Sequence, residues 1–175
     1  MIDKNEKEKE VVKNNSFCFE TLPPILSENV KRLGWEKPMP VQSMVIPILL
    51  KGKDLIVQSR TGSGKTAAFL LPMIMKIDSS RMEAQSLVLV PTRELAEQVS
   101  RVAKELTANT DVRSVAIYGG VGYGPQIDAL RSGAQIILAT PGRLLDHMAR
   151  GAVRLDRVEF LVLDEADRML DMGFI

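Results

Sequence analysis

The sequence reads Leu55-Ile56-Val57-Gln58-Ser59-Arg60-Thr61-Gly62-Ser63-Gly64-Lys65-Thr66 at the point that decides its fold. The first three residues form a short apolar run, typical of a buried β-strand, and the apolar residues from Ala67 to Ile77 predict a helix. The glycines between these elements let the backbone curl, so that successive N–H groups can point at phosphate oxygens. A strand, a glycine-rich loop and a helix in this order predict a phosphate-binding loop.

The chemistry of this loop suits a nucleoside triphosphate. The helix N-terminus adds partial positive charge, Lys65 can reach the β- and γ-phosphates, and the Thr66 hydroxyl can bind Mg²⁺. The strict motif has glycine at position 59, where this chain has Ser59. A glycine-serine turn that merely begins a helix is the weaker interpretation, because the strand–loop–helix context is the one that the mechanism requires. The predicted nucleotide-binding residues of the loop are Ser59, Arg60, Thr61, Gly62, Ser63, Gly64, Lys65 and Thr66.

Four further apolar runs follow the loop, at residues 87–90, 115–118, 136–139 and 160–163. Each run is nearly continuous, as expected of strands that are buried on both faces. Helical patterns separate them, most clearly from Glu94 to Leu106, where the apolar residues fall on one face, and again over 143–150. The alternation predicts an α/β fold, with a mostly parallel sheet and helices on both faces. Ligands of such sheets bind beyond the carboxyl ends of the strands.

The last apolar run ends in Asp164-Glu165-Ala166-Asp167. A carboxylate directly after a buried strand, in a sheet that also carries a phosphate loop, can hold the Mg²⁺ of bound ATP, and this assigns Asp164 to the metal. Glu165 then lies where it can orient or deprotonate an attacking water. Lys65, Asp164 and Glu165 are therefore the predicted catalytic residues. The alternative is an acidic helix start, because aspartate is a common N-cap.

Composition excludes several classes of protein. The chain has 175 residues, 45% hydrophobic and 26% charged, which suits one globular domain and excludes collagen and extensive disorder. A single cysteine, Cys18, excludes an internal disulfide and a cysteine-based metal cluster. The net charge of +1 indicates no overall basic surface. We expect residues 1–16 to be a flexible charged leader, and no apolar stretch suits a signal peptide or a membrane span.

The acidic segment after a phosphate loop resembles the signature of DEAD-box ATP-dependent RNA helicases, and other family motifs occur in the expected order. They are Gly34-Trp35-Glu36-Lys37-Pro38-Met39-Pro40-Val41-Gln42 (Q motif), Pro91-Thr92-Arg93-Glu94-Leu95 (motif Ia), Gly119-Gly120 (glycine doublet) and Thr140-Pro141-Gly142-Arg143 (motif Ib). The resemblance covers residues 17–175. It implies the N-terminal RecA-like lobe of such a helicase, truncated before the family's Ser-Ala-Thr motif and without the second lobe.

The resemblance also implies roles in nucleotide binding outside the phosphate loop. In the family the Q-motif glutamine reads the adenine edge, so Gln42 is the adenine-selecting candidate, and Lys37 belongs to the same binding segment. An upstream aromatic residue stacks on the base. Family spacing favours Phe17, with Phe19 as the rival and simple packing of either ring as a further alternative. Met39 stands where the family commonly has threonine or serine, which weakens the local match.

The family binds RNA through its sugar–phosphate backbone, and three segments that each follow a predicted strand fit this binding. They offer N–H groups, hydroxyls or an arginine near a helix start, although each alone is more typical of an ordinary loop cap or surface charge. The net charge near zero agrees with a short track of phosphate contacts. Asp167 is the candidate for coupling between the lobes. The RNA-binding candidates are Pro91, Thr92, Arg93, Gly119, Gly120, Thr140, Pro141, Gly142 and Arg143.

The implied activity is hydrolysis of ATP to ADP and phosphate, with Mg²⁺ as cofactor, coupled to local unwinding of RNA duplexes in the full-length protein. We expect a monomer without membrane association, located in the cytoplasm, or in the nucleus or nucleolus of a eukaryote. Residues 1–175 alone are expected to be nearly inactive, because arginines from outside are worth roughly 10³–10⁵ in rate in comparable enzymes. The alternatives are a DNA translocase built on the same lobe and a truncated, non-catalytic regulator.

Overall fold

The computed structural model describes residues 17–174, which fall into two compact units that divide between Lys76 and Ile77. The predicted leader, residues 1–16, lies outside the described residues, and the predicted lobe boundary at residue 17 stays a prediction. The described part of the first unit, residues 17–76, begins with a 3₁₀ turn and contains three helices. They are the turn Phe19–Thr21, α1 (Pro24–Arg32), α2 (Pro40–Leu50) and α3 (Lys65–Lys76).

Helix α3 forms the centre of the first unit. Its residues from Ala67 to Ile74 are all buried, and α2 packs against it. Ile46 of α2 and Leu70 of α3 are completely inaccessible to solvent. Such a helix is apolar all round, so its stability comes from packing rather than from an exposed polar face. This packing holds the N-terminus of α3, and with it the end of the glycine-rich loop, in a defined place.

The strand predicted at residues 55–57 is absent, and this prediction was wrong. Residues 53–60 have no regular structure, and Leu55, Ile56 and Val57 are 37%, 102% and 39% exposed. A short β-branched run becomes a strand only when a neighbouring strand satisfies its backbone N–H and C=O groups. Among the described residues no strand pairs with this segment. The helix at the other end of the loop forms as predicted.

The second unit alternates strands and helices as the sequence predicts. Its parallel sheet has the order β2-β3-β1-β4. The strands differ from the predicted runs by at most one residue at either end. The elements are β1 (Ser86–Leu89), α4 (Arg93–Leu106), β2 (Ser114–Ile117), α5 (Gly124–Arg131), β3 (Ile136–Ala139), α6 (Pro141–Ala149), β4 (Phe160–Leu163) and α7 (Ala166–Asp171).

The direction of the strands brings the candidate residues of this unit to one edge of the sheet. Strand β3 is buried throughout, whereas β4 alternates, with Leu161 and Leu163 exposed. All pairings are parallel, so every strand ends at the same side of the sheet. The segments that follow β1, β2, β3 and β4 therefore lie along a common carboxyl edge. None of the helices in residues 17–174 is long and apolar enough to cross a membrane.

Candidate functional site

The phosphate loop of the first unit is shaped by two glycines. Gly62 has a φ of 78° and Gly64 a φ of 89°, a left-handed conformation that side chains disfavour. Helix α3 then begins at Lys65, whose Nζ donates to the carbonyl oxygens of Ser59 at 2.6 Å and Arg60 at 3.2 Å. The ammonium group is thus folded back over the loop, where a bound phosphate would meet it.

Ser59, the departure from the strict motif, has a partner within the loop. Its hydroxyl lies 2.9 Å from the hydroxyl of Ser63. A glycine or alanine at this position could not make that hydrogen bond, so the substitution adds a contact across the base of the loop. Arg60 and Thr61 are exposed beside it, and Thr66 is half-buried in the first turn of α3.

Gln42 connects the Q-motif helix to the phosphate loop. Its side chain is 4% exposed, Nε2 donates to the carbonyl oxygen of Gly64 at 3.1 Å, and Oε1 accepts from the Met39 N–H at 2.9 Å. Met39 is the N-cap of α2, and Gln42, at the third helical position, satisfies the Met39 backbone N–H, as in a capping box. A Cβ at position 64 would come within 2.5 Å of Gln42 Nε2. The reading of adenine by Gln42 stays a prediction.

The two candidate adenine-stacking rings pack against each other. Phe17 and Phe19 are both buried, with ring centroids 5.9 Å apart at 82°, an edge-to-face pair. Lys37 is exposed. Which phenylalanine stacks on a base, and the role of Lys37, stay predictions.

At the carboxyl edge of the second unit, the first RNA-binding candidate segment surrounds the start of α4. Thr92 is the N-cap, and its hydroxyl accepts from the Leu95 N–H at 3.3 Å. Arg93 Nε donates to Glu97 Oε1 at 2.9 Å, and the guanidinium lies 5.0 Å from the centre of the Tyr118 ring. Hydrogen bonds from Arg93 and Tyr118 lower the pKa of Glu97. Pro91 is buried behind this cap.

The glycine doublet lies next to that arginine. Gly119 and Gly120 are exposed, Gly120 has a φ of 81°, and a Cβ there would lie 3.4 Å from Arg93 Nη1. Motif Ia and the doublet are separated by more than twenty residues in sequence, and the structure brings them together. The pairing of Arg93 with Tyr118 and Glu97 places its charge beside the exposed glycine backbone.

The third candidate segment lies at the start of α6, close to the residues that follow the glycine doublet. Thr140 is the N-cap of α6, followed by Pro141 and the exposed Gly142. Arg143 Nη1 donates to the Val121 carbonyl at 3.0 Å, and its guanidinium lies 4.1 Å from the centre of the Tyr123 ring. The three RNA-binding candidate segments are therefore neighbours at this edge of the sheet.

Sequence reasoning missed the residues that hold these segments together. His147 is completely buried, and its Nε2 lies 2.9 Å from Gln126 Oε1. Arg150 also stacks on Tyr123, at 4.3 Å. The available signal was the spacing of Arg143, His147 and Arg150, which places them on one side of a helix.

The acidic segment has an unusual backbone at Glu165. Its φ of 53° and ψ of 46° are left-handed, a conformation that costs a non-glycine residue of order 1–3 kcal/mol and is concentrated at functional sites. The Glu165 N–H donates to Asp164 Oδ1 at 3.1 Å, and its carboxylate pairs with Arg168 at 3.3 Å. Glu165 is the N-cap of α7, but its side chain makes no capping hydrogen bond, so helix capping does not explain a glutamate at this position. Asp167 is exposed.

Thr66 in the first unit and Asp164 in the second each carry an oxygen of the kind that Mg²⁺ prefers, and their binding of one ion stays a prediction. Residues 17–174 contain no group of three or more histidine, cysteine, aspartate or glutamate side chains that could hold a metal. Nucleotide-bound Mg²⁺ needs only one or two protein oxygens, because phosphates and water complete its coordination. The Thr66 hydroxyl and the Asp164 carboxylate are oxygen ligands of this type.

Comparison with known proteins identifies the family. The sequence matches the DEAD/DEAH box helicase family over residues 39–175. This chain belongs to the DEAD/DEAH box helicase family. The DEAD-box chain is 53% identical to the ATP-dependent RNA helicase CshA of Listeria monocytogenes, over 85% of its own length and 28% of the relative. It is 50% identical to the ATP-dependent RNA helicase DbpA of Escherichia coli, over 87% of its own length and 34% of the relative.

Solved structures confirm the fold class. A DEAD box protein from Methanococcus jannaschii matches this DEAD-box chain with a TM-score of 0.84 and 42% identity, over 91% of the chain and 45% of that protein. A hypothetical ATP-dependent RNA helicase from Sulfolobus tokodaii matches with a TM-score of 0.79 and 38% identity. The fold is the RecA-like one that the motifs implied. The chain spans between about a quarter and a third of the curated relatives it matches.

Proposed function

We propose that this chain is the ATP-binding and RNA-binding lobe of an ATP-dependent RNA helicase, which couples ATP hydrolysis to local unwinding of RNA duplexes in the intact protein. The phosphate loop carries the proposal, since Gly62 and Gly64 curl the backbone and Lys65 begins a buried helix directly after it. The family match and the relatives named as ATP-dependent RNA helicases support it.

In the proposed reaction the loop N–H groups and Lys65 bind the phosphates of ATP, and Glu165 orients the attacking water. Thr66 and Asp164 would each offer an oxygen to Mg²⁺, which would supply positive charge to stabilise the transferring phosphoryl group. The lysine now bonded to the carbonyls of Ser59 and Arg60 would exchange those bonds for phosphate oxygens. Catalysis of this kind depends mainly on positioning and electrostatics, so rigid attachment of the loop to α3 matters.

RNA is proposed to bind along the carboxyl edge of the second unit. The exposed glycines at 119, 120 and 142 allow close approach of a phosphate, and Arg93 and Arg143 supply charge beside them. A second RecA-like lobe is proposed to supply the arginines that stabilise the transferring phosphate. The protein is proposed to act as a monomer in the cytoplasm. The contacts are to the backbone, so binding is expected to depend on salt and not on sequence.

The test replaces Lys65 and Glu165 in the intact protein. Lys65→Ala should weaken ATP binding, and Glu165→Gln should retain ATP binding while lowering RNA-stimulated hydrolysis by at least about 10²-fold. Lys76→Ala is the matched control, because Lys76 is an exposed lysine at the far end of the same helix. Steady-state ATPase assays with saturating RNA measure the effect. Hydrolysis that survives Glu165→Gln would contradict the assigned role.

The same assay separates the alternatives. Stimulation by single-stranded DNA equal to that by RNA of the same sequence would favour a DNA translocase. RNA binding without any turnover by the intact protein would favour a non-catalytic regulator. The exposed glycine edge is common to all three possibilities, so the nucleic acid that stimulates hydrolysis decides between them.

A further inference from the structure

A buried chain of hydrogen bonds runs from α6 to the end of β2. His147 Nε2 lies 2.9 Å from Gln126 Oε1, and Gln126 Nε2 donates to the Tyr118 carbonyl at 3.0 Å. Gln126 is 5% exposed and His147 is completely buried. The chain therefore connects three elements, α6, α5 and the residue that follows β2, through side chains shielded from water.

The direction of every bond in this chain is fixed by chemistry. A carbonyl can only accept, so the Gln126 amide nitrogen must face Tyr118 and its oxygen must face His147. His147 Nε2 therefore carries the proton, and Nδ1 holds the lone pair. Nδ1 has no hydrogen-bond partner in the part of the chain that the structure describes. Burial and the charges of Arg143 and Arg150 lower the pKa of His147, against a smaller opposing effect of Asp146, which agrees with a neutral ring.

The chain fixes the orientation of the peptide between Tyr118 and Gly119. This peptide is trans, so the Gly119 N–H points opposite to the Tyr118 carbonyl. Gln126 holds the carbonyl on the inner side, and the N–H is thereby turned away from Gln126. Gly119 is exposed and a Cβ there would meet no atom within 4 Å. A phosphate can therefore come close to the backbone at this exposed residue.

The side chain of Gln126 does two things at once. It satisfies the Tyr118 carbonyl, which an apolar residue at position 126 would leave without this donor, and it fixes where that carbonyl lies. The result is a fixed position for one carbonyl beside the glycine doublet. Tyr123 reinforces it from outside, because its hydroxyl donates to Asp146 at 3.1 Å and its ring contacts the His147 ring edge-to-face at 5.4 Å.

We propose that Gln126 and His147 are positioning residues for RNA, which hold the Tyr118 carbonyl so that the Gly119 N–H is aimed at an RNA phosphate. The proposal rests on the proposed RNA-binding function of the carboxyl edge. It assigns the contact to one backbone atom and makes α6 contribute to it from the interior, in addition to Arg143 at its surface.

The experiment measures binding of single-stranded RNA to the intact protein by fluorescence anisotropy at several salt concentrations, with ATP affinity and urea unfolding measured in parallel. Gln126→Leu and His147→Leu should each weaken RNA binding about tenfold to a hundredfold, the effect of one lost hydrogen bond to a charged group. The dependence of affinity on salt should be unchanged, because no charge is removed. His147→Gln, which retains a donor near the Nε2 position, should restore most of the affinity.

A variant in the exposed loop tests the same contact without disturbing the interior. Gly119→Pro deletes the N–H that is proposed to bind the phosphate. Gly119→Pro should lose about as much affinity as Gln126→Leu, and combining the two should cause no further loss, because both remove one contact. Gln98→Leu, at an exposed glutamine of α4, should bind RNA normally.

Each outcome separates this inference from the proposed function. Wild-type protein that binds no RNA would overturn both. Normal RNA binding by Gln126→Leu and Gly119→Pro, with only reduced stability in the former, would overturn the positioning role alone. ¹⁵N NMR of the imidazole, with the His147 signals identified by their loss in His147→Gln, should show the Nε2–H tautomer at pH 7. The Nδ1–H tautomer would contradict the direction of the chain.

Discussion

The two glycine-rich loops of this protein are held in different ways. The phosphate loop is fixed mainly from within, by Lys65 on the carbonyls of Ser59 and Arg60 and by the Ser59–Ser63 hydroxyl pair. The loop at 118–123 makes its contacts with neighbouring helices, through Gln126 of α5 and Arg93 and Arg143 of α4 and α6. The contacts that hold the phosphate loop lie within a few consecutive residues, so the sequence reveals them. The contacts that hold the loop at 118–123 come from distant residues, so the sequence does not.

The largest effect is expected at Gly64 of the phosphate loop. Gly64→Ala combines a φ of 89° with a Cβ only 2.5 Å from Gln42 Nε2, so both the backbone and the Q-motif amide must move. We expect a loss of about 2–4 kcal/mol in the free energy of unfolding, with weakened ATP binding. Gly62→Ala is the matched control, since it has a similar φ of 78° but no atom within 4 Å, and should cost about 1–2 kcal/mol. Equal losses in urea unfolding would show that the contact with Gln42 is unimportant.

The next effect is expected at Tyr123, the last residue of the second loop, whose ring contacts arginines from α6 and its C-terminal end. Tyr123→Leu removes the ring on which Arg143 and Arg150 both stack, at 4.1 and 4.3 Å. Each such contact is worth about 0.5–1 kcal/mol, so we expect a loss of about 1–2 kcal/mol in unfolding free energy and weaker RNA binding, with ATP affinity unchanged. Tyr123→Phe keeps the ring and should retain most of the stability. A loss of ATP affinity in Tyr123→Leu would show that the two loops are not independent.

A change of pH should affect the second loop and not the first. The pKa of His147 is lowered from 6.5 in the folded protein, chiefly by burial, so the unfolded chain binds the proton more readily. The free energy of unfolding should therefore fall as the pH drops below about 6.5, by at most about 1.4 kcal/mol per pH unit. Asp78, Glu97 and Asp156 have lowered pKa values, and their contributions are lost only at more acidic pH.

His147→Gln provides the control for this pH effect, because it removes the only histidine of the chain. Its unfolding free energy should be flat between pH 6.5 and about pH 5. An equally steep decline in this variant would assign the pH dependence to other groups.

The smallest effect is expected at Ser59. Ser59→Ala removes the half-buried hydroxyl pair with Ser63, so we expect a loss of about 0.5–1 kcal/mol in unfolding free energy and nearly unchanged ATP affinity. Ser63→Ala should produce the same loss, and the double variant should lose no more than either single one. Strictly additive losses would show that the two hydroxyls act separately.

Much of the fold could be predicted from the sequence because its signals are local. The apolar face of α4 and the continuous apolar runs of β1 and β3 are patterns within short stretches of sequence. All three elements begin and end within one residue of the predicted bounds. The absence of a strand at 55–57 could not be predicted in this way, because a strand depends on a partner that the run itself does not encode. Dependence on distant residues also limited what could be predicted of the site.

The phosphate loop and the acidic segment were visible as consecutive motifs, whereas the residues that support the RNA-binding candidates are dispersed. Gln126 and His147 are 21 residues apart in sequence and meet only in the folded chain. The left-handed backbone of Glu165 has no local signal either, because glutamate is not a residue that favours this conformation.

The backbone of Glu165 has a consequence for how this protein can evolve. Glycine or asparagine would adopt a φ of 53° at less cost, so replacing Glu165 with either should make the chain more stable. The same replacement would remove the carboxylate proposed to orient the attacking water. Selection for stability and selection for turnover therefore oppose each other at this position, and a variant library sorted only for solubility should lose Glu165 early.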